Sequence, residues 1–302
     1  MARADSGDPA VLRAALASFG AGRAQLARAP SIVHLRAGAS NDSWRVRSAA
    51  ADWIVRIGRG ADPALVVDRA REAALARQAA AAGFAPGVVH AAPERALFVT
   101  TYIEGGAPDR ACARSAEFAA SLGRRLAQLH ALPRLLPAPA LDLAALLGHY
   151  LAVDAPHQEI VGRALVRRVA DRLLCAYRPQ RLALCHLDLH RDNLLLGPPL
   201  RLIDWEYAAY ADPWLDLAAF ASYEELEPEA LAALLAGYGP GAPGSGAELE
   251  PLRALFDCLR VLWTDAADAW STVPADAING LRVRLAAADR SPAPATLPPG
   301  AA

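Results

Sequence analysis

Residues 184–206 read LCHLDLHRDNLLLGPPLRLIDWE, a polar loop set between apolar runs. Apolar runs at 182–184 and 194–196 flank the polar loop HLDLHRDN. They read as short buried strands that hold the loop's side chains at the edge of a core. A third run, 200–203, follows a Gly197-Pro198-Pro199 turn and returns Asp204 within a hairpin's reach of Asn193. An amide oxygen and a carboxylate brought together in this way are hard ligands, suited to Mg²⁺ carrying phosphates. Asp188, five residues before Asn193, then faces an acceptor hydroxyl. The set His186, Asp188, Asn193 and Asp204 therefore has a spacing that suits phosphoryl transfer from a magnesium nucleotide. Taken singly, the same residue types also cap turns and end strands.

The segments CHLDLHRDNLLL (185–196), LRLIDWEYA (200–208) and DPWLDLA (212–218) together resemble the aminoglycoside phosphotransferase and choline kinase superfamily. IDWEY is most similar to its choline kinase and bacterial thiamine kinase branches, and the likeness extends upstream to about Gly38. The resemblance implies an α+β, two-lobed protein-kinase-like fold, with a small N-terminal antiparallel sheet lobe carrying one helix and a larger, mostly helical C-terminal lobe. It implies that Asp188 is the catalytic base, that Asn193 and Asp204 bind Mg²⁺, and that Asp216 is a buried acceptor bracing the catalytic loop. His186 is expected to be structural. His190 is grouped with Asp188, its role undecided. The chain departs from the pattern at Leu187, where glycine or asparagine is common, and at an early strand position that holds arginine instead of lysine.

Composition narrows the partners. The 302 residues suit two lobes, and 54% hydrophobic content supports a well-buried globular chain. The net charge of −1, from 31 basic and 32 acidic residues, leaves no electrostatic footprint for nucleic acid or an anionic membrane. A small-molecule alcohol is the expected partner, and the oligomeric state is not legible. The chain has no lysine; with its alanine richness, this reads as nucleotide bias in the genome. Cys112, Cys175, Cys185 and Cys258 lack CxxC spacing and read as thiols of a reducing compartment. With no signal pattern and no run of eighteen apolar residues, a cytoplasmic protein is expected. The closing SPAPATLPPGAA is expected to be a mobile tail.

In the first lobe a short helix over 11–19 precedes strands at 32–35 and 44–47, joined by the small, polar AGASND loop. Such a loop can turn backbone N–H groups toward phosphate oxygens, although a plain hairpin turn reads the same. The resemblance makes it the phosphate-covering loop, with Gly38 and Ser40 at its tip and Asn41 beside them. Arg56 is the one charged residue of the strand 53–57. Related kinases carry a phosphate-binding lysine there; arginine keeps the charge in a bulkier fork. Glu72, on a helix expected over 67–82, pairs either with Arg56 or with a neighbour such as Arg69 on a solvated face. Two further strands end at Glu104-Gly105-Gly106, the expected lobe boundary. By the resemblance, the backbone at Thr101 and Ile103 meets the adenine edge.

The second lobe is expected to be helical over 114–131, 141–153, 159–177, 252–270 and 275–288, with GYGPGAPGSGAELE (237–250) as a flexible connection. A seven-residue step would put Trp263 and Trp270 on one helix face. Aromatic faces bind cations well, so Tyr207, Trp263 and Trp270, with Glu206, are the candidate substrate wall; core packing is the competing reading of the aromatics. The expected organisation is 1–103 for nucleotide binding, 104–290 for catalysis and substrate, and 291–302 as a tail. The expected activity transfers the γ-phosphate of ATP, with Mg²⁺, to a small cationic alcohol. An aminoglycoside phosphotransferase and a catalytically silent binding protein are the alternatives.

Overall fold

The computed structural model describes residues 9–17, 19–20, 24, 31–37, 41–58, 66–154, 157, 159–179 and 181–291. Gly38, Ser40 and the tail beyond Ser291 lie outside the described residues.

Five antiparallel strands, β1 (Ser31–Ala37), β2 (Asn41–Arg47), β3 (Asp52–Gly58), β4 (Val88–Ala92) and β5 (Leu97–Thr101), form one sheet in the order β1-β2-β3-β5-β4. Strand alternation divides its faces. Trp44, Val55 and Val99 lie side by side in register and bury one face against Leu12 and Leu16 of α1 (Pro9–Ala17). The next register row, Ser43, Arg56 and Phe98, turns to the other face, where the Arg56 guanidinium lies 5.1 Å over the Phe98 ring. A charged residue in mid-strand is thus delivered to the cleft while its neighbour Val55 fills the core.

Helix α2 (Arg69–Ala81) starts at Asp68, whose carboxylate accepts the Ala70 and Arg71 N–H groups. Its Leu75, Ala76 and Ala79 join the large core of the second lobe, not the small core under the sheet. Glu72 is therefore carried by an element seated on the lobe that holds the catalytic loop.

That second lobe comprises α3 (Arg110–Ala113), α4 (Ala116–His130), α5 (Leu143–Ala152), α6 (Arg163–Ala176), α7 (Trp214–Tyr223), α8 (Pro228–Tyr238), α9 (Gly246–Ala266) and α10 (Ala275–Arg290). Helices α4 and α8 approach so closely that a Cβ at Gly123 or Gly237 would collide with the other helix's backbone, so glycine is required at both. Two small antiparallel pairs carry the loop: β6 (Ala183–Cys185) with β9 (Ala209–Ala211), and β7 (Leu194–Leu195) with β8 (Arg201–Leu202).

The two-lobed architecture agrees with the expectation, and three details correct it. The long helix ends at Ala266, and Trp270 lies in a separate 3-10 turn, Trp270–Thr272, so Trp263 and Trp270 do not share a helix face. The same helix begins at Gly246, inside the segment read as a flexible connection. Strand β9 was not legible, because Ala209-Tyr210-Ala211 is too short to show a period. All four cysteines are free; Cys185 and Cys258 are buried, and Cys175 is exposed. Among the described residues, no helix is long and apolar enough to cross a membrane.

Candidate active site

The loop between β6 and β7 is fixed from beneath. Asp216, fully buried in the first turn of α7, accepts the backbone N–H of His186 at 2.9 Å and of Leu187 at 2.7 Å. The His130 ring nitrogen Nε2 lies 3.1 Å from the same carboxylate, and His130 Nδ1 lies 3.0 Å from the Tyr238 hydroxyl. Burial works to raise the Asp216 pKa, but His130, His186 and the backbone donors outweigh it and hold the carboxyl below its ordinary value. Leu187 takes φ +64°, a left-handed conformation that costs a branched side chain on the order of 1 kcal/mol. That explains why glycine or asparagine suits this place, and the short bond from Leu187 N–H to Asp216 helps hold the strained turn. His186 Nε2 lies 2.8 Å from the Ile203 carbonyl oxygen, tying the loop to the strand that leads into Asp204.

Above this base the carboxylate of Asp188 is held on both oxygens. Asn193 Nδ2 donates to Oδ2 at 3.0 Å and to the Asp188 carbonyl at 2.8 Å, while the Tyr223 hydroxyl donates to Oδ1 at 3.0 Å. His190 Nε2 stands 3.7 Å from Oδ2. Burial pushes the Asp188 pKa up, but His190, His186 and the Tyr223 hydroxyl overcome it and bring it down to about 2. Conversely, Asp188, Asp192 and Asp204 raise the His190 pKa against the lowering effect of its burial.

The hairpin expected from the sequence forms: Leu194 pairs with Leu202, and the Ile203 N–H donates to the Asn193 carbonyl at 2.9 Å. It brings Asp204, also at φ +64°, into a cavity of about 760 Å³ shared with Asn41, Arg56, Asp188, His190 and Asn193. Arg56 forms ion pairs with both Glu72 and Asp204. Glu72 is buried and also takes Arg69 at 2.9 Å, so both partners weighed for it are present, and its face is not solvated. Arg69 further reaches Glu206 at 2.9 Å and Asn41 Oδ1 at 3.0 Å, and Asn41 Nδ2 donates to Glu206 at 2.8 Å. Burial, aided by Asp204, raises the Glu206 pKa against Arg56, Arg69 and Asn41.

The donor set fits a magnesium ion. Asn193 spends its amide hydrogens on Asp188, which fixes the amide orientation and turns its oxygen the other way. Arg56 engages Oδ1 of Asp204, whose side chain remains 36% exposed to the cavity. An amide oxygen and a carboxylate in one polar cavity are ligands that suit this hard cation.

The cavity is also lined by Tyr207 and Trp263. Their rings stand edge to face at 6.2 Å and 89°, and the Trp263 indole N–H donates to the Tyr207 hydroxyl at 2.7 Å. Burial holds the Tyr207 hydroxyl well above its ordinary pKa. Glu206 lines the cavity too, but its carboxylate is turned to Asn41 and Arg69. Trp270 does not line the cavity: it is buried and donates to Asp265 at 3.0 Å. Nor do Thr101 and Ile103, and the Thr101 N–H is spent on the Gly87 carbonyl at 2.8 Å.

Sequence reasoning missed Tyr223 and Glu224. Tyr223 bonds Asp188, while the buried Glu224 accepts the Arg191 N–H at 3.0 Å and so caps the turn that carries Asn193. The signal was ambiguous, since glutamates ahead of a helix suit its dipole and nothing local shows that Glu224 folds back onto Arg191. Arg69 was likewise read only as a neighbour of Glu72 on a solvated face.

A two-lobed fold with a carboxylate-bearing loop beside an acidic hairpin defines a kinase-like phosphotransferase. The chain belongs to the phosphotransferase enzyme family (APH), whose profile matches residues 31–255. It is similar to a choline/ethanolamine kinase family protein of Mesorhizobium loti, at 25% identity and a TM-score of 0.70, over 94% of this chain and 95% of that one. A choline kinase of Streptococcus pneumoniae shares the fold at a TM-score of 0.73 and 19% identity, over 93% and 98% of the two chains. A stretch of 56 residues is 50% identical to the thiamine kinase of Salmonella paratyphi B, spanning 18% of this chain and 20% of that relative's length.

Proposed function

We propose that this chain transfers the γ-phosphoryl group of ATP to the hydroxyl of a small cationic alcohol of the choline or thiamine type. The nucleotide sits between a lobe of residues 1–103 and a catalytic lobe of residues 104–290. The observation that carries the reading is the Asp188 carboxylate, held on both oxygens in the cavity that also receives Arg56, Asp204 and the Tyr207–Trp263 pair.

The acceptor oxygen attacks the γ-phosphorus, ADP leaves, and Asp188 orients the hydroxyl and takes its proton. Held near pKa 2, Asp188 is ionised at neutral pH and serves by position more than by basicity. Asn193 and Asp204 would hold Mg²⁺, which supplies charge neutralisation at the phosphates when bound. Arg56, steadied by Glu72, turns its fork to the phosphates. Tyr207 and Trp263 offer aromatic faces to the acceptor's cation.

An aminoglycoside acceptor fits less well. Glu224, Glu225 and Asp276 line the cavity, but Arg191, Arg110 and Arg114 are paired with them, so a polycation meets no bare acidic wall. The test is ATP consumption with Mg²⁺ against choline, ethanolamine, thiamine and an aminoglycoside, with Asp188→Asn in parallel. Stimulation by one cationic alcohol that the variant abolishes supports the reading; stimulation by the aminoglycoside alone selects the other branch. Failure to bind ATP overturns the reading.

A further inference from the structure

The cavity that holds Tyr207 and Trp263 also holds a further cation, Arg260. Arg260 and Trp263, three residues apart on α9, both line this space. Asp257, Glu224, Glu225, Asp276 and Asp265 all have other partners. Asp257, one turn before it, is buried and takes Arg284 at 2.7 Å together with the Ser222 hydroxyl. Glu224 takes Arg191, and Glu225 takes Arg110 and Arg114. Asp276 takes Arg110, and Asp265 takes Arg163 and Trp270. Among the described residues, no carboxylate lies within ion-pair distance of Arg260.

The contacts that Arg260 does make position it without neutralising it. Its guanidinium lies 4.4 Å over the Tyr223 ring, and Nη1 donates to the Ser222 carbonyl at a long 3.4 Å. Contact through the face of the guanidinium leaves most of its five N–H donors, which point from the edge, for another acceptor. The Tyr223 hydroxyl reaches Asp188, so one tyrosine ring separates this cation from the carboxylate that faces the reacting hydroxyl. An arginine fork beside an aromatic pair is a two-ended receptor, with cation recognition at Tyr207–Trp263 and planar oxyanion recognition at Arg260.

We infer that Arg260 binds a carboxylate on the acceptor, so that the substrate is a zwitterionic hydroxy compound, carrying an ammonium and a carboxylate beside the hydroxyl that is phosphorylated. This rests on the phosphotransferase reading above, keeps the cationic group of its acceptor and adds a carboxylate that choline and thiamine lack.

The experiment uses matched sets that differ at one group: ethanolamine, serine and serinamide; 3-aminopropan-1-ol, homoserine and homoserine amide; choline and N,N,N-trimethylserine. Turnover is measured with Mg²⁺ and ATP for the wild-type chain, Arg260→Gln and Arg260→Lys, with melting curves to verify folding. In at least one set the acid is expected to exceed both its amine and its amide in kcat/KM by about tenfold or more, mainly through KM. Arg260→Gln collapses that ratio toward one, while Arg260→Lys, which keeps the charge without the fork, retains part of it. A merely structural Arg260 would lower all members alike and leave the ratio unchanged. The inference is overturned if amines match their acids, if amides match them, or if Arg260→Gln keeps the preference. Calorimetry with the same compounds in the presence of ADP and Mg²⁺ separates the two claims. If nothing is phosphorylated yet the acids bind wild type and not Arg260→Gln, the transfer reading fails and the carboxylate site stands. If no acid binds, the site fails.

Discussion

The catalytic loop and the link between the lobes are both held by buried charge, but in different ways. Under the loop, Asp216 has one set of partners, the His186 and Leu187 N–H groups and His130, all short groups on packed elements. Across the lobes, Arg56 divides between Glu72 and Asp204, and Arg69 among Glu72, Glu206 and Asn41. Short donors on rigid backbone give one geometry, whereas long guanidinium side chains with several acceptors can exchange them at modest cost. The lower arrangement suits a group that must not move. Under the proposed function, the upper one suits groups that admit a nucleotide and its metal, since the phosphates would compete for Arg56 with the carboxylates it now holds.

The largest effect is expected where the fixed geometry meets the chemistry. Asp188→Asn should lower kcat by about 10²–10⁴-fold, with the circular dichroism spectrum and melting temperature nearly unchanged. A variant that retains wild-type turnover would break the assignment of this loop. Next comes the brace. Asp216→Asn puts an amide against two backbone N–H donors in a fully buried site, and should cost roughly 2–4 kcal/mol in denaturant unfolding. Its pH dependence has a definite sign. The folded carboxyl is held below its ordinary value, so its stabilisation is complete above the unfolded pKa of about 3.9 and is lost as pH falls through the folded value. The gap between wild type and Asp216→Asn should therefore be widest above pH 4 and narrow below it.

The adaptable side should respond in binding more than in folding. Arg56→Ala is expected to raise the KM for ATP by about tenfold, roughly the loss of one charge-assisted contact. Glu72→Gln should raise it less, because the Arg56 cation itself remains to meet the phosphates. Equal effects would mean that Glu72 does more than steady Arg56.

The same contrast explains what the sequence disclosed. The loop and hairpin were legible because one local run carries them: β6, the polar loop, the Gly-Pro-Pro turn and β8 all lie within 183–202. Asp216 was reachable only through the resemblance, since nothing local to DPWLDLA says that its carboxylate will meet N–H groups thirty positions earlier. Arg69 to Glu206 and Tyr223 to Asp188 span 137 and 35 residues, and no periodicity reports a pairing at that range. Trp270 failed for a different reason. Helical spacing was extended past Ala266, where Ala269 and Trp270 turn away into a 3-10 segment, and the indole found a buried carboxylate in place of the cavity.

That failure supplies the smallest and sharpest comparison. Trp263 and Trp270 are chemically identical and seven residues apart, yet one lines the cavity beside Tyr207 and the other is packed against Asp265. Replacing either by phenylalanine removes an indole N–H and some buried area. At Trp270 the loss leaves Asp265 its ion pair with Arg163, so the cost should fall on stability, about 1–2 kcal/mol, with the acceptor's KM unmoved. At Trp263 the Tyr207 hydroxyl loses its donor and the aromatic pair loses its locked edge-to-face angle. Melting should change little there, while the KM for a cationic acceptor rises a few-fold, on the order of the 0.5–1 kcal/mol that a partly exposed cation–aromatic contact contributes. If Trp270→Phe moved the acceptor's KM as much as Trp263→Phe, the aromatic wall would have to be redrawn around α10 and the turn before it.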